Sequence, residues 1–490
     1  MDAEQLRDEF RAGRIDGERL IDVISAMQRR IAELERKAGA EPTRKVAEPF
    51  SLRAEEQRPA ARGNKPPKKN RPLRRGRIAT AEKIRQARRT EPVFPAGVAK
   101  NDCQLSHTRP VWRLEHGQAV LIAYEIYRGP KSRFGQIPGV LGRSEFGIEI
   151  VVAIAYQVSV VGLSFDKVCL LLNFFQNLRL RKSQADALLN QLSRHWEGEF
   201  DGLCTLLANS AAVHADETSW SLNSVWAFLS EKVRVLFFGV HKDADTLQKI
   251  LDPTTFAGLV ISDDAAVYAN FTQSQKCWAH LLRKSFKLTL LEPANAEYRR
   301  FADRLLEIYR AAGRVQRDGR LSDAGRARKV AELDDEIFDL CSPIWFAELS
   351  PTDDTANDYR RLCNELMKLM LARQLFTFVT AAPITMPTGE VLAAPGTNNA
   401  AERALRDAAN ARKTGRTNKT LAGARRQTIL VSVLESLRQH LTPFTLSSVI
   451  AEILHWSHAG QSRFAKLAAK LGLSPRAQPL RDLILPAPSG

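Results

Sequence analysis

Cysteine is scarce in this chain. Its 490 residues hold six, and no two form a Cys-x-x-Cys pair. Scattered cysteines argue against a disulfide framework, and no four-ligand structural zinc site is visible. Long apolar runs are missing too. The longest, Ile148 to Leu163, is interrupted by Glu149, Tyr156, Gln157 and Ser159. It is too short and too polar to span a bilayer. No basic and then apolar leader follows Met1, so the expectation is a soluble, cytoplasmic protein without a membrane partner. Acid is the other shortage. Asp and Glu number 55 against 72 Lys and Arg, giving a net charge of +17 and a pI of about 9.8. Such a balance suits a polyanionic partner, nucleic acid before an anionic membrane surface.

What is present divides into several regions. The apolar share is ordinary at 44%, and the length predicts two to four domains. Residues 1–40 carry Leu20, Ile24, Met27, Ile31 and Leu34 at alternating spacings of four and three. That is a heptad seam, read as an N-terminal coiled-coil helix that pairs protomers; an amphipathic helix packed on its own protein is the alternative. Residues 41–95 are rich in Pro, Lys and Arg and read as a disordered basic linker. Lys68, Lys69, Arg74, Arg75 and Arg77 are its candidate phosphate contacts. Residues 96–140 contain Cys103, His107 and His116 but no convincing fourth ligand, and Val120 to Tyr127 suits a strand.

Residues 141–200 read as three helices: Glu145 to Val161, one capped by Ser164, and one capped by Ser183. The basic rim before the third includes Lys182. This order is compatible with a helix-turn-helix DNA reader and equally with a helical bundle. Residues 208–290 alternate strand and helix signals: Val213 to Thr218, Val225 to Ser230, Val233 to Val240, a short helix Asp243 to Leu251, and Ala257 to Ser262. A helix with Tyr268 and Phe271 and a strand from Gln275 to Ala279 complete an α/β core. Residues 291–395 are mainly helical and end in a breaker-rich loop. Residues 396–445 hold a helix capped by Asn398, then a second from Leu421 to His440. Residues 446–490 are a last helix and a Pro-rich tail.

Asp216 and Asp263 stand at predicted strand ends, and Glu402 lies on a predicted helix. Carboxylates so placed suit two-metal phosphoryl transfer, which needs hard oxygen ligands converging on one point. Taken singly, each acid has a plainer reading as a turn residue or cap, or, for Glu402 and Arg406, as an exposed helix pair.

Four blocks carry more weight together. His214-Ala-Asp216-Glu-Thr-Ser-Trp220, Leu259-Val-Ile-Ser-Asp263-Asp-Ala-Ala-Val-Tyr268, Cys277-Trp-Ala-His280-Leu-Leu-Arg283 and Thr397-Asn-Asn-Ala-Ala-Glu402-Arg-Ala-Leu-Arg406 follow one another in order. They resemble the ordered blocks of the insertion-sequence sixty-six family of bacterial transposases, over about residues 145–445. Arg412, Lys413, Gly415 and Ala422 to Ala424 continue the likeness.

The resemblance implies an RNase H-like α/β catalytic core with a large helical insertion, preceded by the helical DNA-binding module and the N-terminal coiled coil. It implies a DDE transposase that cleaves DNA at element ends and transfers the 3′-hydroxyl to target DNA. Asp216, Asp263 and Glu402 would be catalytic and hold Mg²⁺, with Mn²⁺ able to substitute. Cys277, His280, Asn399, Arg403 and Arg406 would lie near them, and Lys182, Arg412, Lys413 and Arg416 would contact DNA. Transposon ends and target DNA, a second protomer and accessory proteins of the same element are the implied partners, in the nucleoid. Two departures stand out. Residues 96–140 retain only Cys103 and His107 of the family's Cys-rich segment, a degenerate zinc-finger-like remnant in which zinc is not expected. Asp264 replaces a Gly after the second acid. A decayed copy acting as a repressor, or a nuclease that cuts without joining, are the alternatives.

Overall fold

The computed structural model describes residues 78–345, 353–386, 389–476 and 478–484. The heptad segment, the basic residues Lys68, Lys69, Arg74, Arg75 and Arg77, and the tail from 485 lie outside the described residues.

The described part opens with a small sheet. Helix α1 (Thr80–Arg85) leads into β1 (Arg89–Val93), which pairs in parallel with β3 (Gln118–Arg128). The end of the segment expected to be disordered is therefore built into a sheet. β3 also pairs antiparallel with β2 (Gln104–Glu115). Their hairpin turns at His116 and Gly117, with φ of 47° and 78°, as a two-residue turn matching the strand twist requires. Val120, Ile122, Tyr124 and Ile126 alternate into one core with Val111 and Ile137. The residues read as a degenerate zinc-finger-like segment carry this sheet. His107 sits near the start of β2 and His116 past its end, so the extended strand holds them roughly 30 Å apart.

Four helices follow: α2 (Ile148–Ala155), α3 (Phe165–Gln176), α4 (Lys182–His195) and α5 (Glu197–Ala208). α2 does not run on to Val161 as a regular helix; it widens into a π turn over Tyr156–Val160, where the Ser159 carbonyl accepts from Gln427 Nε2 at 2.9 Å. Ser164 caps α3, its Oγ accepting the Lys167 N–H at 3.3 Å. Ser183 does not cap α4. Arg181 holds that position, and its N–H donates to Gln184 Oε1 at 3.0 Å.

The central sheet has five strands in the order β6-β5-β4-β7-β8. They are β4 (Ala212–Ser219), β5 (Ser224–Ser230), β6 (Arg234–Val240), β7 (Leu259–Ser262) and β8 (Ser274–Lys276). β4, β5 and β6 are antiparallel, whereas β4, β7 and β8 are parallel. Helix α6 (Ala244–Ile250) joins the two halves, capped by Asp243 through a 2.7 Å bond from the Thr246 N–H. The expected helix around Tyr268 is a single 3₁₀ turn, Ala266–Tyr268, and the expected strand beyond it stops at Lys276.

The β6 edge is closed by α13 (Leu421–His440). Backbone N–H groups of Arg234, Leu236 and Phe238 donate to Ser436 Oγ, Ser432 Oγ and Thr428 Oγ1 at 3.0, 2.9 and 2.9 Å. Four residues of helix rise about 6 Å and two of strand about 6.7 Å, so hydroxyls every fourth residue match alternate strand amides. All three hydroxyl residues are fully buried. The edge that would otherwise invite another chain is satisfied internally.

A helical unit follows β8: α7 (Trp278–Leu291), α8 (Ala296–Arg317), α9 (Asp323–Trp345), α10 (Asp354–Leu371) and the short α11 (Thr377–Thr380). Its core continues onto the sheet through Ala212, Leu259 and Ile261. The expected loop 383–395 includes a two-residue ladder, β9 (Ile384–Thr385) with β10 (Val391–Leu392). Helix α12 (Asn399–Lys413) precedes α13, and α14 (Leu446–Ala459) and α15 (Arg463–Lys470) close the described chain. Among the described residues no helix is long and apolar enough to cross a membrane.

Candidate active site

β4 and β7 run in parallel, and their last paired residues are His214 and Ile261. Asp216 and Asp263 each stand two positions beyond that pair. Side chains alternate along a strand, so both acids continue the face on which Ala212, Leu259 and Ile261 carry the helical unit. Asp216 does not end its strand, as its sequence context suggested. β4 continues to Ser219 because β5 still pairs with it, Asp216 opposite Ala227.

Asp216 is the poorly compensated acid. Its Oδ1 accepts the Glu217 N–H at 2.9 Å, and no cation pairs with it among the described residues. Burial pushes its carboxyl up to about 7, with the charges of Glu217, Asp263 and Glu402 adding to the effect. Asp263 accepts the Ala265 N–H at 3.0 Å. The buried Lys276 ammonium reaches the Asp263 carbonyl at 3.0 Å and Ser262 Oγ at 3.2 Å, and no cation pairs with the Asp263 carboxylate among the described residues.

The neighbouring acids are clasped. Glu217 has its side chain almost sealed from solvent, 2.8 Å from Lys242 Nζ, and it accepts the Tyr268 hydroxyl. Asp264 faces the helical unit, 3.4 Å from Lys368 Nζ. Glu402 accepts from Arg283 Nη2 at 2.8 Å and lies 3.5 Å from His280 Nδ1. The exposed helix pair with Arg406 is not formed. A cleft of about 460 Å³ opens beside these groups, lined by Asp263, Asp264, His280, Lys284, Glu365 and Lys368.

Asn398 ties α12 to the sheet. It stands at the helix start, but its side chain makes no capping bond. Its Nδ2 donates to the Ala215 carbonyl at 2.8 Å, its Oδ1 stands 3.2 Å from His214 Nδ1, and its N–H donates to Cys277 Sγ at 3.1 Å. Burial holds His214 down to about 4. It is therefore neutral, and its Nδ1 proton faces the Asn398 oxygen.

The other predicted residues are more dispersed. Asn399 is the first residue of α12. Arg403 and Arg406 are exposed on α12, and Lys413 is exposed at its end. Arg412 donates to the Ser219 carbonyl at 3.0 Å, and Arg416 to the Gly162 carbonyl at 2.8 Å. Lys182 pairs with Asp166 at 2.7 Å, on the helical module. Sequence reasoning passed over Glu217, Lys242, Lys276, Arg283 and Lys368. Glu217 stood inside the first motif block and Arg283 closed the third, whereas Lys242, Lys276 and Lys368 lay outside every block.

The oxygens of Asp216, Asp263 and Glu402 do not all close to within 4.8 Å of one another. Among the described residues the group of metal-ligating side chains that does so is Cys277, His280 and Glu402. No curated protein matches the chain. The sequence profile of the IS66 family of transposases matches residues 143–426, which include both aspartates, Glu402 and their supporting residues. The chain thus belongs to the IS66 transposase family, whose substrate is DNA.

Proposed function

We propose that the chain is a DDE transposase with an RNase H-like core, using Asp216, Asp263 and Glu402 to cut DNA at element ends and to join the 3′-hydroxyl to target DNA. The strand order, with three antiparallel strands followed by two parallel ones, supports the core assignment. The observation that carries the chemistry is Asp216. A carboxyl half-buried on a strand beside two further acids, without a cation, is costly unless an external charge joins it.

The residues fit a divalent ion. The donors are hard carboxylate oxygens, as Mg²⁺ or Mn²⁺ prefers. A bound ion pair supplies charge neutralisation and polarises the attacking and leaving oxygens. Asp216 and Asp263, fixed by adjacent strands, and Glu402, presented by α12, would hold it. Lys276 fixes the Asp263 turn through its carbonyl. Lys284 and Lys368 line the cleft where phosphates would approach. Arg283 keeps Glu402 drawn aside and would release it on loading.

The test is direct. Full-length protein with Mg²⁺ and DNA bearing the element's own ends is expected to give 3′-hydroxyl nicks and joined products. Asp216→Asn, Asp263→Asn and Glu402→Gln should each lower both by several orders of magnitude. Joining that survives any of the three would falsify the assignment. Cleavage without joining would identify a nuclease, and sequence-specific binding without cleavage a repressor.

A further inference from the structure

We propose that Cys277, His280 and Glu402 form a second metal site, selective for a thiophilic divalent ion such as zinc. The site shares Glu402 with the acid cluster. That sharing rests on the catalytic reading of Glu402; the site itself does not.

Cys277 stands at the start of α7 and His280 three residues later, which puts both side chains at one end of one helix. α12 brings Glu402 against them. One ligand atom from each lies within 4.8 Å of the other two. Tetrahedral zinc binds thiolate at about 2.3 Å and imidazole at about 2.0–2.1 Å, so its ligands stand roughly 3.3–3.6 Å apart. The His280 Nδ1 to Glu402 Oε1 separation is already 3.5 Å, and the sulfur, within 4.8 Å of both, needs a shift on the order of 1 Å to join them.

Two observations point to a ligand there. His280 Nδ1 is sealed from solvent and makes no hydrogen bond, an expensive state for a polar atom. Cys277 Sγ already accepts the buried Asn398 N–H at 3.1 Å. An incoming ion would displace the thiol proton to solvent and find its anion already hydrogen-bonded, the support ligating groups ordinarily have. Sulfur and imidazole select a softer ion than the all-oxygen acid cluster does. Three protein ligands leave a fourth position open. With Glu402 engaged here, it is withheld from Asp216 and Asp263, so zinc would restrain the Mg²⁺-dependent reaction.

Cobalt(II) added to the metal-free full-length chain is the probe. One equivalent is expected to give a thiolate-to-cobalt charge-transfer band. Cys277→Ser should abolish it, with zinc affinity falling on the order of 100-fold. His280→Ala, the second variant, should weaken it. Asp216→Asn should leave it intact. Folding of each variant is checked by its melting curve. No band at one equivalent, or a band that survives Cys277→Ser, overturns the proposal. Wild-type protein that shows the band with cobalt but cleaves no DNA in Mg²⁺ without cobalt or zinc would count against the catalytic reading alone.

Discussion

Asn398 donates its side-chain amide to the Ala215 carbonyl at 2.8 Å and faces His214 Nδ1 with its oxygen at 3.2 Å. One buried side chain thus fixes the helix carrying Glu402 to the strand carrying Asp216. Asn398→Ala leaves two buried partners unpaired, a cost of about 1–3 kcal/mol each. DNA cleavage should fall further than stability, because Glu402 loses its register. Urea unfolding beside a cleavage assay separates the two. A cleavage loss no greater than the loss of folded protein would refute the positioning role.

Arg283 holds Glu402 at 2.8 Å, although the guanidinium is largely exposed. Ion pairs of this kind are worth about 0–1 kcal/mol. Arg283→Ala should therefore tighten Mn²⁺ binding by no more than about fivefold, read by calorimetric titration. Weaker binding would show that Arg283 organises the site rather than competing for it.

Asp216 makes the metal-free protein sensitive to pH. Its carboxyl is raised from 3.8 to about 7, first by burial. A raised carboxyl binds its proton more tightly when folded. The stability it contributes is complete below about pH 4 and is lost as pH rises through about 7. A shift of this size corresponds to at most about 4 kcal/mol. Without metal, Asp216→Asn should melt well above the wild type at pH 8 and level with it near pH 4. Mg²⁺ should raise the melting temperature of the wild type and leave that of the variant unchanged. Equal metal-free melting temperatures at pH 8 would contradict the burial argument.

Ser432 Oγ accepts the Leu236 N–H at 2.9 Å inside the core. Ser432→Ala should cost about 1–3 kcal/mol by orphaning a buried amide, measurable by denaturant unfolding, with no change in DNA affinity. A cost within error of zero would mean that α13 does not protect the β6 edge.

Residues 41–77 carry the densest basic run, whereas Arg89–Val93 is a strand of the small sheet. Deleting 41–77 while keeping that strand should reduce the salt dependence of DNA binding, since each lost phosphate contact lowers the slope by about 0.9. An unchanged slope would remove this segment from the DNA-binding surface.

Local pattern made much of the chain legible. The β5–β6 hairpin, the Asp243 cap, the Ser164 cap and the α13 boundaries are encoded by near neighbours, through alternation, capping and helical spacing. The motif blocks marked Asp216, Asp263, Glu402, Cys277 and His280 without fixing which of them meet. Contacts between residues more than a hundred positions apart decided that. Nothing in the neighbourhood of Asn398 announces that it will leave its own helix start for Ala215. Arg283 takes Glu402 because two helices converge, where helical spacing alone favoured Arg406. The strand through Asp216 runs on because β5, not its own polarity, supplies the hydrogen bonds. Sequence therefore determined the elements and the chemical types available; packing determined which acids are clasped by a cation, which carboxyl is left uncompensated, and that a cysteine and a histidine come within 4.8 Å of the glutamate.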